Sequence, residues 1–288
     1  MGLTPQEVAA GYELACEKAL ELLPALVVTE ATELKDVAQV KLWIRSAITS
    51  KQYDNEEIIA DLVAKACVQT CPKNTADFNV DNIRICKIVR SGVHSSAVMS
   101  GMVFKRGAEG EVKRAKNARV AVFTCPFDLT QTETKGTILI DNADELQGYA
   151  AGEEKEVEEQ MKGLADNGVS VVVAAGKFGD LYLHFLNKYN TMAVRLTSKF
   201  DLRRLCRTVG AQAQARICAP AVNLLGQCVE VREIGDEQVT VFECSGEGGR
   251  IATIVVRGAS QSRIDDVERA IDDAVNYYKA LSKDGKVR

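Results

Sequence analysis

The sequence predicts a mixed α/β and α+β protein in which one domain is inserted into another, and three observations carry that prediction. The β-branched run Ile251, Ile254, Val255 and Val256 reads as a buried strand. It is broken by Gly258 and followed by a long helix from Gln261 to Asp284. The best partner for this strand lies far upstream, at 81–89, where Ile83, Ile85 and Ile88 alternate with polar neighbours. Between the two, strand and helix patterns alternate, as an α/β core requires. The outer strands then serve as the two connections of an inserted domain.

Each element has its own signal. Thr4, Pro5 and Glu7 form a helix entry, with Thr4 as cap and Glu7 completing a capping box. That helix runs through Tyr12, Ala15, Cys16 and Leu20 until Pro24. A second helix is predicted at 34–50, around the single Trp43. After the polar break 50–55, a third carries the stripe Ile58, Ile59, Leu62, Val63, Ala66 and Cys67, and Pro72 ends it. The stretch 90–96 reads as a small polar linker and a hinge. Strands are predicted at 119–124, 136–140, 169–174, 191–196, 227–234 and 238–244, with a hairpin turn at 233–237. Helices are predicted at 153–166, 178–188 and 201–209. Residues 141–160 hold helix formers without a strong apolar stripe, as a projecting helical excursion would. In the last helix Ser260 or Ser262 is the expected cap, with Asp265 and Asp266 in the first turn.

Composition narrows the function. A chain of 288 residues suggests about two domains. A net charge of −4 argues against a non-specific nucleic-acid binder. The basic cluster Lys113 to Arg119 reads as a solvated helix turn. No apolar run approaches the roughly 20 residues that cross a bilayer, and no signal peptide opens the chain. Nine cysteines with only two histidines assemble no zinc set; the thiols, Cys16, Cys67, Cys86, Cys125, Cys206 and Cys218 among them, read as buried and free in a reducing cytosol.

No nucleophile–base constellation emerges. His94 sits in the polar linker and His184 on a helix, neither beside a motif-bearing Ser or Cys. The segment Ala174 to Lys177 follows a strand but has no first Walker glycine, and Phe178 stands where Ser or Thr is needed. Gly246, Gly248 and Gly249 read as a turn. Asp272 and Asp273 lie off the apolar stripe of the last helix, Asp273 nearly opposite its centre; a solvated face is the default. On helix 201–209 Leu202, Leu205, Cys206 and Val209 face inward. Arg203, Arg204 and Arg207 face outward, either solvated or holding an anionic or polar partner.

Several segments carry a resemblance: Gly11 to Ala19, Ser50 to Asp54, Phe78 to Lys87, Cys125 to Asp128, Thr132 to Thr137, Asn187 to Asn190, Asp201 to Gly210, Val256 to Gly258 and Asp266 to Ala274. They run the length of the chain, in order, and it resembles the group II chaperonins of the TRiC/CCT class. The resemblance implies an apical domain of the swivelling β/β/α type at 98–248, with a helical protrusion near 141–160. It implies intermediate-domain legs at 1–97 and 249–288, the first beginning with an equatorial helix remnant. Asp273 matches the aspartate that positions the attacking water in ATP hydrolysis, and Lys51 the lysine of the nucleotide-sensing loop. Arg203, Arg204, Arg207, Thr132, Glu133 and Lys135 match the substrate groove, and Gly92 and Gly258 the hinges. ATP and Mg are implied for the complete subunit, but the family's Gly-Asp-Gly-Thr phosphate loop has no match here, so none is expected on this chain. The implied partners are non-native proteins of the actin and tubulin class and other subunits of a hetero-oligomeric double ring in the cytoplasm, with no metal of the chain's own, no nucleic acid and no membrane. Two rival readings are a small-molecule α/β enzyme using the Gly176 or Gly258 loops, and a scaffold for one folded partner.

Overall fold

A computed structural model describes residues 2–128, 143–234, 238–244 and 251–287. In chain order these form α1 (Pro5–Leu22), β1 (Thr29–Glu30), α2 (Val37–Thr49), α3 (Glu56–Thr70), β2 (Ile83–Val89), β3 (Ala97–Phe104), β4 (Arg114–Phe123), α4 (Ala143–Asp166), β5 (Val171–Ala174), α5 (Asp180–Lys188), β6 (Met192–Arg195), α6 (Lys199–Val209), β7 (Gly226–Ile234), β8 (Val239–Glu243), β9 (Ala252–Gly258), α7 (Gln261–Asp284) and β10 (Lys286–Val287). They fall into two compact units, Met1–Val80 with Asp265–Arg288, and Asp81–Ile264.

The first unit is largely helical. Thr4 caps α1 as predicted: its hydroxyl accepts from the Glu7 N–H at 3.4 Å, and the Glu7 carboxylate accepts from the Thr4 N–H at 2.9 Å. No residue of α1 is buried. Helices α2 and α3 bury Val40, Ile44 and Ile48 against Ile59, Val63 and Cys67, all fully enclosed. Arg45 ties them outside, reaching Glu56 at 2.5 Å and Glu57 at 2.9 Å. On α7, Ile271, Ala274, Val275 and Tyr278 are buried at helical spacing. The Tyr278 hydroxyl donates to the Leu34 carbonyl at 2.7 Å, and its ring meets Phe78 edge-on at 4.8 Å. Strands β1 and β10 pair antiparallel.

The second unit is built on an eight-stranded sheet in the order β2-β9-β3-β8-β7-β4-β5-β6. The expected pairing of the two outer strands forms: β2 runs parallel to β9, Ile83 opposite Ala252 and Val89 opposite Gly258. Strands β4, β5 and β6 are parallel, and the joins from β4 through β7, β8 and β3 to β9 are antiparallel. Alternation along β4 and β5 sends side chains to two cores. Val120, Val122, Val171 and Val173 pack with Leu202, Leu205 and Val209 of α6. Ala121, Phe123, Val172 and Ala174 pack with Val157, Met161 and Leu164 of α4 and Phe185 of α5. Helix α6 therefore sits on the opposite face of the sheet from α4 and α5.

Three expectations are corrected, and one strand is new. Strand β3 has no counterpart in the sequence reading, because Ala97, Ser100 and Gly101 blur its alternation. At Gly101 (φ 117°) a Cβ would sit 2.0 Å from the Phe242 carbonyl oxygen, so only glycine admits that neighbour. The basic cluster is no helix turn but the start of β4, where Lys113 and Arg114 meet Glu233 at 2.8 Å and Glu230 at 2.5 Å on β7. Cys16 and Cys218 are exposed, not buried. Helix α7 starts at Gln261, Ser260 accepting from the Arg263 N–H at 3.5 Å, so Asp265 and Asp266 fall beyond its first turn. The strand expected at 136–140 and the centre of the 233–237 turn lie outside the described residues.

Candidate functional site

Two constellations of predicted residues stand in the structure, one in each unit. In the second unit, Ser198 caps α6 by accepting from the Asp201 N–H at 3.3 Å, and Gly210, left-handed at φ 73°, ends it. Leu202, Leu205, Thr208 and Val209 are buried. The rest of the helix is thereby aimed outward. Arg203 and Arg207 are exposed, and neither has an ion-pair partner among the described residues. Arg204 is half-buried and reaches Asp201 at 3.5 Å. The helix starts two residues earlier than the sequence reading placed it, which adds Lys199 and Phe200 to the outward face. Phe200 is 70% exposed and shares one side with Arg203, Arg204 and Arg207 at i, i+3, i+4 and i+7. Sequence reasoning missed it by starting at Asp201. The signal was Ser198, a cap three residues before an acidic side chain. Thr132, Glu133 and Lys135 lie outside the described residues.

The first unit holds the other pair. The α2–α3 connection is drawn in by the Lys51 and Gln52 N–H groups, which both donate to the Ile48 carbonyl at 2.9 Å. This places the Lys51 ammonium in an ion pair with the Asp273 carboxylate of α7. The two side chains are 41% and 47% exposed, so both remain open to other groups. At the start of α3, Glu56 accepts from Arg45 and from the Thr49 hydroxyl. The Arg45 hydrogen bond, more than the Thr49 one, holds its carboxyl below the usual range. Sequence reasoning named Lys51 and Asp273 separately; the structure brings them together.

The remaining candidates separate. Gly92 is extended, with open space where a Cβ would be, whereas a Cβ on Gly258 would meet Ile264 Cγ1 at 2.7 Å; both lie within the second unit. Gly176 has a packing reason: a Cβ there would come within 2.5 Å of the Pro126 backbone. His184 is exposed on α5. Among the described residues no group of three or more His, Cys, Asp or Glu side chains is placed to hold a metal, and no helix is long and apolar enough to cross a membrane.

This is a chaperonin fold. Over 99% of this chain and 66% of the other, it superposes with a TM-score of 0.69 on an open-state monomer of a group II chaperonin from Methanococcoides burtonii, at 21% identity. The chain belongs to the TCP-1/cpn60 chaperonin family, whose model matches residues 1–288. Within the family the quoted segments point to the theta subunit, and the relatives agree. T-complex protein 1 subunit theta of Caenorhabditis elegans is 76% identical over the whole of this chain, and that of Homo sapiens 50%. The chain spans about half, 53%, of the length of each.

Proposed function

We propose that this chain is the client-capturing and hinge-bearing part of a cytosolic chaperonin subunit that folds non-native proteins in an ATP-driven hetero-oligomeric double ring. The observation that supports this best is the division of α6: one face is committed to the core, and the other presents the exposed Arg203, Arg207 and Phe200 beside the half-buried Arg204, which meets Asp201. A shallow surface mixing cations with one apolar side chain gives many weak contacts and little selectivity. Such contacts become useful when several copies act on one unfolded chain. By the resemblance Thr132, Glu133 and Lys135 also contribute to client binding in this reading, and clients of the actin and tubulin class are the substrates.

ATP with Mg, in the complete subunit, supplies the energy that drives closure. Toward it this chain offers two side chains. The Asp273 carboxylate can accept a proton from, and so orient, a water molecule, and the Lys51 ammonium can meet a phosphate oxygen. Their mutual ion pair keeps both on one surface, and their partial exposure leaves them available. Gly92 and Gly258, both inside the second unit, are in this reading the hinges of the segment 98–248 that carries α6.

The test is suppression of aggregation of a chemically unfolded protein by this chain, alone and displayed in several copies, with and without ATP. Suppression that needs multivalent display, ignores ATP and is lost in Arg203→Ala/Arg207→Ala supports the proposal. No suppression even by the multivalent form overturns it.

A further inference from the structure

Cys228 and Cys244 were not among the thiols the sequence singled out, yet their sulfurs lie 3.4 Å apart. Both are buried, at 5% and 4% exposure, in the core that seats α6. Their meeting is fixed by backbone. Cys228 lies within β7, opposite Ala118 of β4. Cys244 follows β8 directly; its N–H donates to the Ser100 carbonyl at 3.1 Å, and its own carbonyl accepts from the Ser100 hydroxyl at 2.8 Å. Burial on β7 falls on Gly226, Cys228 and then Val231, and Cys228 shares one core with Val231 and Phe242.

We propose that Cys228 and Cys244 are a redox couple that a hydroperoxide converts into an intrachain disulfide. A disulfide needs the sulfurs roughly 1.3 Å closer than they stand, the difference between 3.4 Å and a bond of about 2.05 Å. The two thiols share one S–H···S contact in which either sulfur can donate. One of them, as its thiolate, attacks the peroxide, displaces hydroxide from the O–O bond and becomes a sulfenic acid. The other sulfur then attacks the sulfenic sulfur, expelling a second hydroxide, which leaves as water with that thiol's proton. Two thiols and one hydrogen peroxide thus give one disulfide and two waters. The bond closes a loop between residues 16 apart, which restricts the unfolded chain and stabilises the sheet beneath α6. This inference is independent of the capture reading.

The exposed thiols Cys16 and Cys218 provide the internal reference. The whole chain is treated with graded hydrogen peroxide, quenched by alkylation under denaturing conditions and mapped by mass spectrometry. The expected result is a linked peptide pair containing Cys228 and Cys244, lighter by two hydrogens, reversed by dithiothreitol and accompanied by a rise of several degrees in Tm. Cys228→Ala and Cys244→Ala should each abolish the link and the rise. Cys228 and Cys244 remaining alkylatable when Cys16 and Cys218 are fully oxidised would overturn the proposal, as would linkage of either to another cysteine. The mapping uses the unsubstituted chain, so it decides even if a variant fails to fold.

Discussion

Stability and capture should be separable along the single helix α6. Leu205 is fully buried under it, and truncation to Ala removes most of a side chain from a close-packed core. Leu-to-Ala changes at such sites cost about 2–5 kcal/mol, including the cavity left behind. For a cooperative unit of this size, each kcal/mol lowers Tm by roughly 2–4 °C, so Leu205→Ala should lose about 4–20 °C. Arg203 and Arg207 are exposed and without an ion-pair partner among the described residues, so replacing both with Ala should change stability by no more than about 0.5 kcal/mol per site. The assay is thermal and urea unfolding by circular dichroism, run beside aggregation suppression by a multivalent display. Leu205→Ala should keep capture below its own melting temperature; the double arginine variant should melt like the parent and capture poorly. Equal destabilisation by both variants would refute the division of the helix, and undiminished capture by the arginine variant would refute the assignment of its outer face.

Other expectations concern single groups. Tyr278→Phe leaves the Leu34 carbonyl unpaired at a 2.7 Å bond and should cost about 1–3 kcal/mol in urea unfolding, with the Phe78 contact kept. Gly176→Ala drives a Cβ into the Pro126 backbone and should lower Tm; Gly92→Ala meets open space and should raise stability by up to about 1 kcal/mol by restricting the unfolded chain. Glu56 has its folded value below the ordinary 4.5, so its ionised form favours the native state. That contribution is present above pH 4.5 and is lost as pH falls through the folded value, so Glu56→Gln should flatten the acid limb of a Tm–pH profile.

Much of the architecture was legible because it rests on local periodicity. The stripes of α3 and α7, the β-branched run of β9 and the capping box of α1 are each written within a few residues, and β2 was the best partner the sequence offered for β9. What escaped depends on distant neighbours. Strand β3 is recognisable only once the Phe242 carbonyl is seen to require glycine at position 101. The cations Lys113 and Arg114 look like a solvated turn until Glu230 and Glu233 stand beside them on another strand. The same holds for function. Lys51 and Asp273 are far apart in the chain, and neither carries a local signal that it pairs with the other. Phe200 was lost to a two-residue error in a helix start, although Ser198 marked the true one.

Phe200 also distinguishes a capturing face from a merely solvated one. Lys199, Arg203 and Arg207 are what any water-facing helix surface carries, and their exposure needs no further cause. A phenylalanine held 70% exposed at the first turn gains little of the roughly 1.5–3 kcal/mol that full burial would give, and its neighbours in sequence show that charge is accepted there. Nothing in the packing of α6 calls for it, since Leu202, Leu205 and Val209 already fill the seat. Phe200→Ser should therefore leave the melting temperature unchanged within about 1–2 °C, an exposed-site effect of no more than about 0.5 kcal/mol. If the outer face grips unfolded chains, the same change should weaken aggregation suppression in the multivalent assay and leave its salt dependence, which comes from the arginines, in place. A solvated face predicts no loss of suppression at all, so equal capture by Phe200→Ser and the parent would sink the argument for an apolar contact on α6.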